Sequence, residues 1–289
     1  MVPLDLKKAL PLVRGALEED VGSGDLTTNA IVSERMRGLG VIVAKEEGIL
    51  AGIEVARLVF ECVDPSLQFI HEMKDGERLV SGEVIAQIRG SARSCLTGER
   101  VALNFLQRLS GIATLTSQYV EAIRETGAEI LDTRKTAPGL RILERYAVRV
   151  GGGKNHRYGL FDQILIKDSH IEAAQGIRRA VETIKEKDGG GNFIEVEVRT
   201  LLGVREALEA GVHRIMLDNM DIEEIRKAVQ IIRNTEWGME DVEIEVSGRV
   251  TLETVREIAL TGVDYISVGA LTHSPRALDI SMRFRKIGK

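Results

Sequence analysis

The feature that most constrains the fold is the alternation of short apolar segments with amphipathic ones after residue 127. Most of the apolar segments are separated by stretches with helical periodicity, such as 201–211, 220–235 and 251–262. This order predicts parallel strands joined by right-handed crossovers, either in a doubly wound sheet or in a TIM-type barrel. The apolar segments are 128–133, 163–168, 193–200, 214–219, 242–248 and 264–270.

The carboxyl ends of these predicted strands distinguish the two folds. In a barrel all such ends meet on one face and build the active site, whereas in an open sheet they spread along an edge with a single crevice. Six successive ends with polar or small residues favour the barrel. Because only six strands are evident, we expect an incomplete one. The end residues are Asp132–Lys135, Lys167–Asp168, Glu197 with Arg199, Asp218–Asn219, Ser247–Gly248 and Gly269.

The first third of the chain follows a different pattern. Residues 1–20 read as an amphipathic helix, and 38–53 and 66–95 alternate apolar and polar residues around glycines, which predicts strands and turns. Segment 75–88 is similar to the hairpins of biotinyl and lipoyl carriers, but Lys74 precedes the turn instead of standing at its tip. Residues 97–127 have helical spacing, with Thr97 as the expected N-cap and Gly127 as the stop.

We therefore predict an α/β protein with two domains. Residues 1–105 form an N-terminal α/β sandwich domain, and 106–274 form an incomplete TIM-like α/β barrel. Residues from about 275 to 289 are candidates to pack back on the first domain.

Composition excludes several classes of protein. The net charge of -5 argues against a general nucleic-acid binder, and no apolar run approaches the roughly 20 residues of a membrane span. Cys62 and Cys95 lack metal-binding spacing, so we expect two buried thiols in a reducing cytoplasm. Between Arg134 and His170, however, eight Lys and Arg face three acids. This local excess of +5 indicates either a focused anion site or a solvated basic face.

The predicted strand ends combine three kinds of chemistry. Arginine forks bind carboxylate or phosphate, and two carboxylates on neighbouring strands suit Mg2+ bridging substrate phosphates. The small-residue turns at 247–249 and 268–270 expose backbone amides before a helix, as an anion seat requires. Alternatives stay open, because Glu197 and Asp218 could be salt-bridge residues and Lys167 could be a Schiff-base lysine of an aldolase. The cations are Arg134, Lys135, His156, Arg157 and Lys167.

The stretch RVGGGKNHR, residues 149–157, looks at first like a nucleotide phosphate loop. A Walker motif needs Gly-Lys followed by Ser or Thr directly after a strand. Here Asn155 follows Gly153-Lys154, and the preceding residues 139–150 read as a helix. We expect these glycines to turn the chain and deliver His156 and Arg157 to an organic acid.

Long motifs resemble one enzyme family over essentially the whole chain. TGERVALNFLQRLSGIAT (97–114), residues 132–171 and IEVEV (194–198) carry the likeness, with EEDVGSGDLTTNAI (18–31) and LDISMRF (278–284) at the ends. The chain resembles quinolinate phosphoribosyltransferases. The resemblance implies the two-domain fold above, a homodimer, and conversion of quinolinate and phosphoribosyl pyrophosphate to nicotinate mononucleotide, pyrophosphate and CO2 with Mg2+, in de novo NAD synthesis.

The resemblance also implies roles for individual residues. Arg134, His156, Arg157 and Lys167 would bind the quinolinate carboxylates, and Arg100 would enter from the partner subunit. Lys135 would lie near the pyrophosphate and act in catalysis with Lys167, Glu197 and Asp218, the last two also around the metal and ribose. The remaining expected residues line the pocket or the phosphate seats: Thr133, Ser247, Gly248, Val268, Gly269, Ala270 and His273.

Two departures from the family pattern stand out. The family usually has Ser-Gly-Gly where this chain has Ser247-Gly248-Arg249, and Arg249 is expected to add a phosphate contact. The family often has Asp-Asn-His where this chain has Asp168-Ser169-His170. Apart from the aldolase, the alternatives are a relative that uses another pyridine or aromatic acid and a non-catalytic binder of phosphorylated ligands.

Overall fold

A computed structural model of the protein describes residues 3–188, 191–234 and 242–287. The strands are β1 Arg37–Ala44, β2 Gly48–Ile49, β3 Gln68–His71, β4 Arg78–Leu79, β5 Val84–Ser91, β6 Glu129–Leu131, β7 Ile164–Ile166, β8 Ile194–Val198, β9 Arg214–Asp218, β10 Glu243–Ser247, β11 Tyr265–Ser267 and β12 Ile280–Lys286. The helices are α1 Leu6–Val21, α2 Leu26–Ile31, α3 Ile53–Val63, α4 Ala92–Ala122, α5 Arg141–Val150, α6 Asp168–Ala174, α7 Ile177–Asp188, α8 Leu201–Glu209, α9 Ile222–Arg233, α10 Val255–Ala259 and α11 Ala270–His273. Among the described helices, none is both long enough and apolar enough to cross a bilayer.

The contacts of the chain divide it into two compact units. The first contains the residues up to Ser117, Thr136–Gly152 and the residues from Leu271 onward. The second contains Gln118–Lys135 and Gly153–Ala270.

The first unit is built on a four-stranded antiparallel sheet in the order β12, β1, β5, β3. Val41 in β1 lies opposite Arg283 of β12 and Gln87 of β5. Helix α1 lies against α3. The C-terminal strand β12 thus completes a sheet whose other strands come from the first 91 residues.

Remote hydrogen bonds begin helix α3. Gly52 has a φ of 97°, which favours glycine, and the Asp75 carboxylate accepts the N–H groups of Gly52 and Ile53 at 2.9 Å each. The Tyr146 hydroxyl donates to the same carboxylate at 2.7 Å. Burial, the main cause, raises the pKa of Asp75. The sequence reading missed α3 because its cap lies more than 20 residues away along the chain.

The start of α4 also differs from the prediction. The helix begins at Ala92, directly after β5, and ends at Ala122. Thr97 therefore lies inside it, and the expected N-cap at Thr97 is wrong. The Thr97 hydroxyl lies 3.4 Å from a carboxylate oxygen of Asp25, which itself caps α2 by accepting from Thr28 N–H.

The second unit is a six-stranded parallel sheet in the order β6, β11, β10, β9, β8, β7. All six predicted strands are present, and the predicted helices correspond to α8, α9 and α10, although Thr235 at the end of the second lies outside the described residues. In the part of the chain that the structure describes, β7 pairs only with β8, so the barrel is not closed. A one-residue parallel bridge between Leu131 and Lys154 extends the other edge. The incomplete barrel is confirmed.

Candidate active site

The carboxyl ends of the barrel strands surround a cavity of about 540 Å³. Five of its lining residues are Lys or Arg and two are carboxylates, so cations predominate. Nine of the predicted site residues line it: Thr133, Arg134, Lys135, His156, Arg157, Lys167, Glu197, Asp218 and Ser247.

A second cavity, of about 770 Å³, lies along the edge strand β7. Its described lining is mostly apolar and includes no carboxylate, and it shares Arg157 and Leu165 with the first cavity. The smaller cavity therefore has both the carboxylates and most of the cations, and we take it as the candidate active site.

Asp132, buried at the end of β6, fixes the segment that follows the glycines. Its carboxylate accepts the N–H of His156 at 2.8 Å and the side-chain amide of Asn155 at 2.6 Å. Lys154 instead pairs with Glu129 at 2.5 Å and does not line the cavity. The loop 149–157 thus delivers His156 and Arg157 to the cavity wall.

His156 is held from inside the barrel by two fully buried carboxylates. Its Nε2 lies 3.3 Å from Glu195 and 3.3 Å from Glu245. Burial alone would lower the pKa of His156, but hydrogen bonds to these glutamates and their charges outweigh it and raise the pKa to about 10. Its Nδ1 accepts the N–H of Arg157 at 2.7 Å, so adding the second proton requires that contact to break. Both ring nitrogens of His156 therefore have hydrogen-bond partners within the protein.

The same network continues through β9 and β11. Arg214 donates to Glu245 at 3.1 Å and Ser267 donates to it at 2.5 Å, while Gln163 donates to Glu195 at 2.9 Å. Among the described residues, His156, Glu195 and Glu245 form the one group whose ligand atoms lie close enough for a metal ion. Arg214 already supplies a positive charge beside Glu245, so a metal ion at this cluster would have to compete with it.

Two arginines bring like charges together at the cavity wall. Burial and, next, the charge of Arg134 lower the pKa of Arg157. The Arg157 guanidinium also donates to the carbonyl of Gln163 at 2.9 Å. Two like charges in the lining of one cavity favour the binding of an anion there.

The two carboxylates of the cavity are each paired with a cation. Lys167 Nζ lies 2.8 Å from Glu197, and Arg199 Nε lies 3.0 Å from Asp218. The side chains of Glu197 and Asp218 are 9% and 12% exposed, whereas the Lys167 side chain is 44% exposed. A lysine that is half exposed and ion-paired lacks the apolar, water-excluding surroundings in which a Schiff-base lysine is activated.

Left-handed turns end β9 and β10. Asn219, Gly248 and Arg249 have φ values of 56°, 90° and 54°. A Cβ on Gly248 would lie 2.4 Å from the Asn219 side-chain oxygen and 3.1 Å from its backbone nitrogen. Glycine is therefore required at 248, and Arg249 adopts a conformation that glycine would adopt more easily. The Arg249 side chain is exposed.

The other predicted residues lie outside the cavity lining. Gly248 and Arg249 directly follow β10. Val268, Gly269 and Ala270 directly follow β11, and the N–H of Val268 donates to the carbonyl of Leu131 in β6. Two more belong to the first unit: Arg100, exposed on α4, and His273, at the end of α11. The roles of all sixteen residues stay predictions.

Sequence reasoning did not include Arg199, Asn219 and Ser267 among the site residues, although all three line the cavity. The signal for Arg199 was available in EVEVR, because residues two apart in a strand share a face. Glu195, Glu197 and Arg199 follow that spacing, with the apolar residues between them.

Comparisons with known proteins agree along the whole chain. The family model "Quinolinate phosphoribosyl transferase, N-terminal domain" matches residues 25–110, and its C-terminal counterpart matches residues 112–283. A Nicotiana tabacum protein named quinolinate phosphoribosyltransferase [decarboxylating] 2a, mitochondrial, is 45% identical over 96% of this chain and 82% of its own.

A bacterial relative and a solved structure give the same result. The probable nicotinate-nucleotide pyrophosphorylase [carboxylating] of Bacillus subtilis is 46% identical over 96% of this chain and 93% of its own. The crystal structure of NadC from Streptococcus pyogenes covers all of both chains with a TM-score of 0.93 and 42% identity. This chain belongs to the quinolinate phosphoribosyltransferase family.

Proposed function

We propose that this protein transfers a phosphoribosyl group from phosphoribosyl pyrophosphate to the ring nitrogen of quinolinate and releases pyrophosphate and CO2. The product is nicotinate mononucleotide, a precursor in de novo NAD synthesis. The observation that carries the proposal is the single cavity that joins five cationic side chains with two carboxylates. The relatives named above support the same reaction.

Quinolinate carries two adjacent carboxylates, which match the cationic wall. Arg134 and Arg157, whose like charges lie close together, bind one dianion better than either would bind a monoanion. Lys167, which follows β7, lines the same cavity. Since nicotinate has one carboxylate and nicotinamide has none, the wall favours quinolinate.

The carboxylates suit the sugar end of the second substrate. When the bond from C1 of the ribose to pyrophosphate breaks, positive charge develops on the sugar, which Glu197 and Asp218 stabilise. We expect Lys135, which is exposed in the segment after β6, to bind the departing pyrophosphate. The ring nitrogen then forms its bond to C1.

Decarboxylation follows from the product of that step. The glycosylated ring nitrogen is positively charged, so it stabilises the electron pair left on C2 when the bond to CO2 breaks, and a proton from water then replaces CO2. We propose that this step needs no cofactor of its own.

We propose that Mg2+ is the metal of the reaction, held by Glu197 and Asp218. Carboxylate oxygens are suitable ligands, and both line the cavity. Among the described residues, these two belong to no group of three close ligand atoms, so they fit an ion that keeps water and substrate oxygens as its other ligands. When bound, Mg2+ would neutralise charge on the pyrophosphate.

We propose a homodimer in which Arg100 enters the partner's site. Arg100 is exposed on α4. Leu160 and Phe161, close after Arg157 in the chain, are 74% and 84% exposed, and apolar side chains this open are typical of surfaces that another chain covers.

The reaction is tested by supplying phosphoribosyl pyrophosphate with quinolinate, nicotinate or nicotinamide, and following pyrophosphate and labelled CO2. Turnover is expected with quinolinate alone. Comparable turnover with nicotinate would refute the two-carboxylate argument, and saturable binding without turnover would favour a non-catalytic binder. Borohydride trapping of a carbonyl substrate on Lys167 would favour an aldolase.

The shared site is tested by mixing two inactive variants. Arg100→Ala and Lys167→Ala subunits each lack one part of the site, so mixed dimers contain one intact site and regain part of the activity. Subunit exchange is verified by native mass spectrometry. Exchange without recovery of activity would contradict the contribution of Arg100 across the interface.

A further inference from the structure

Arg199 occupies the two carboxylates that the proposed reaction needs. It follows β8, and its guanidinium reaches the ends of three successive strands. Its Nε lies 3.0 Å from Asp218, its Nη1 lies 2.5 Å from Asp168, and its Nη2 lies 3.8 Å from Glu197. One cation thus takes the place that a divalent ion would take between these acids.

Arg199 lowers the net negative charge of the acidic cluster at these strand ends. Three carboxylates, Asp168, Glu197 and Asp218, are paired here with two cations, Lys167 and Arg199. The cluster therefore has one net negative charge, and without Arg199 it would have two. A divalent cation is attracted more strongly to the second arrangement.

The ion pairs of Arg199 can be displaced by another cation, because the arginine is partly solvated. Its side chain is 55% exposed and Asp168 is 47% exposed, whereas Glu197 and Asp218 are 9% and 12% exposed. Ion pairs with one solvated partner are individually weak, so an ion that coordinates the acids directly can replace Arg199. Lys167 and Asn219 also donate to Glu197 and Asp218 at 2.8 Å each, so the two acids keep part of their support when Arg199 is displaced.

We propose that Arg199 is a positioning residue that holds Glu197 and Asp218 in the absence of metal and competes with the divalent cation for them. The exchange keeps the two acids from repelling each other in the empty site. It also limits metal binding before the phosphorylated substrate arrives to supply further oxygen ligands. This inference deepens the proposed function and rests on it for the choice of metal.

The test measures Mn2+ binding to the full-length protein without substrates, by electron paramagnetic resonance of the free ion. Arg199→Gln removes the charge, so Mn2+ is expected to bind about 10-fold more tightly than to the wild type. Arg199→Lys keeps the charge and should restore most of the wild-type affinity. In Arg199→Gln, the further change Asp218→Asn should abolish the gain.

Arg178→Gln is the matched control. Arg178 is 63% exposed and pairs with Glu209 at 2.6 Å, away from the cavity lining, so its loss should leave Mn2+ affinity unchanged. Thermal unfolding of each variant establishes that it is folded. Unchanged or weaker binding by folded Arg199→Gln would overturn the proposal, as would an equal gain in Arg178→Gln.

These outcomes are independent of the transferase assay. A protein that turns over quinolinate but shows no gain in Arg199→Gln refutes only the role of Arg199. A protein that shows the gain but turns over no quinolinate refutes the reaction instead.

Discussion

Two glutamates of β10 share one arginine, and this allows a sharp test of the network beneath the cavity. Glu245 is fully buried and bonds to His156, Arg214 and Ser267. Glu243 bonds to the same Arg214 at 2.6 Å, but its side chain is 34% exposed. Glu245→Gln and Glu243→Gln are therefore paired changes on one strand that both remove a charge from Arg214 but differ in burial and in the number of bonds that each carboxylate makes.

The expected losses in the free energy of unfolding differ several-fold between the two variants. Removing one partner of a buried ion pair costs about 3–5 kcal/mol, whereas a surface pair contributes about 0–1 kcal/mol. The amide of Glu245→Gln keeps the shape and relieves repulsion with Glu195, so we expect about 2–3 kcal/mol. At about 2–4 °C per kcal/mol, its Tm falls by about 4–12 °C. The Tm of Glu243→Gln falls by less than about 4 °C.

The assays are calorimetry and quinolinate titration. Because Glu245 helps to hold His156 at the cavity wall, Glu245→Gln should also weaken quinolinate binding, and Glu243→Gln should not. Burial opposes ionisation of Glu245, but the bond to His156 and the charges of His156 and Arg214 lower its pKa below the ordinary 4.5. Its stabilising effect is thus present above pH 4.5 and lost as pH falls through the lower folded pKa. Equal Tm changes in both variants would refute the reasoning.

Three further changes test other parts of the structure. Gly248→Ala places a Cβ 2.4 Å from the Asn219 side chain at a φ of 90°. It should lower the free energy of unfolding by about 1–3 kcal/mol and raise the KM for phosphoribosyl pyrophosphate. Wild-type kinetics would contradict this expectation. Arg108→Met leaves the fully buried carboxylate of Glu144 without its cation. The free energy of unfolding measured in urea should fall by about 2 kcal/mol, and the double variant with Glu144→Leu should regain the lost stability. In the proposed homodimer Phe161→Asp should shift sedimentation from dimer to monomer, and an unchanged dimer would place Phe161 outside the interface.

Much of the barrel could be predicted from the sequence because its signals are local. The six strands are short apolar runs, and seven of the nine predicted residues that line the cavity lie at their polar carboxyl ends, the other two being His156 and Arg157. By contrast, α3 was missed because Asp75, which caps it, comes later in the chain. The start of α4 was misplaced because Thr97 has the chemistry of a cap but lies within a helix that continues directly from β5.

The sequence by itself determined the alternation of strands and helices, the position of the basic segment and the family. Only the tertiary structure decided which charges meet. Glu195 and Glu245 lie within predicted apolar strands, and only the pairing of the strands turns them toward His156 inside the barrel. Arg199 likewise reaches Asp168 and Asp218 across neighbouring strand ends. Local periodicity fixes the face on which a side chain lies, but strand order and register decide its partners.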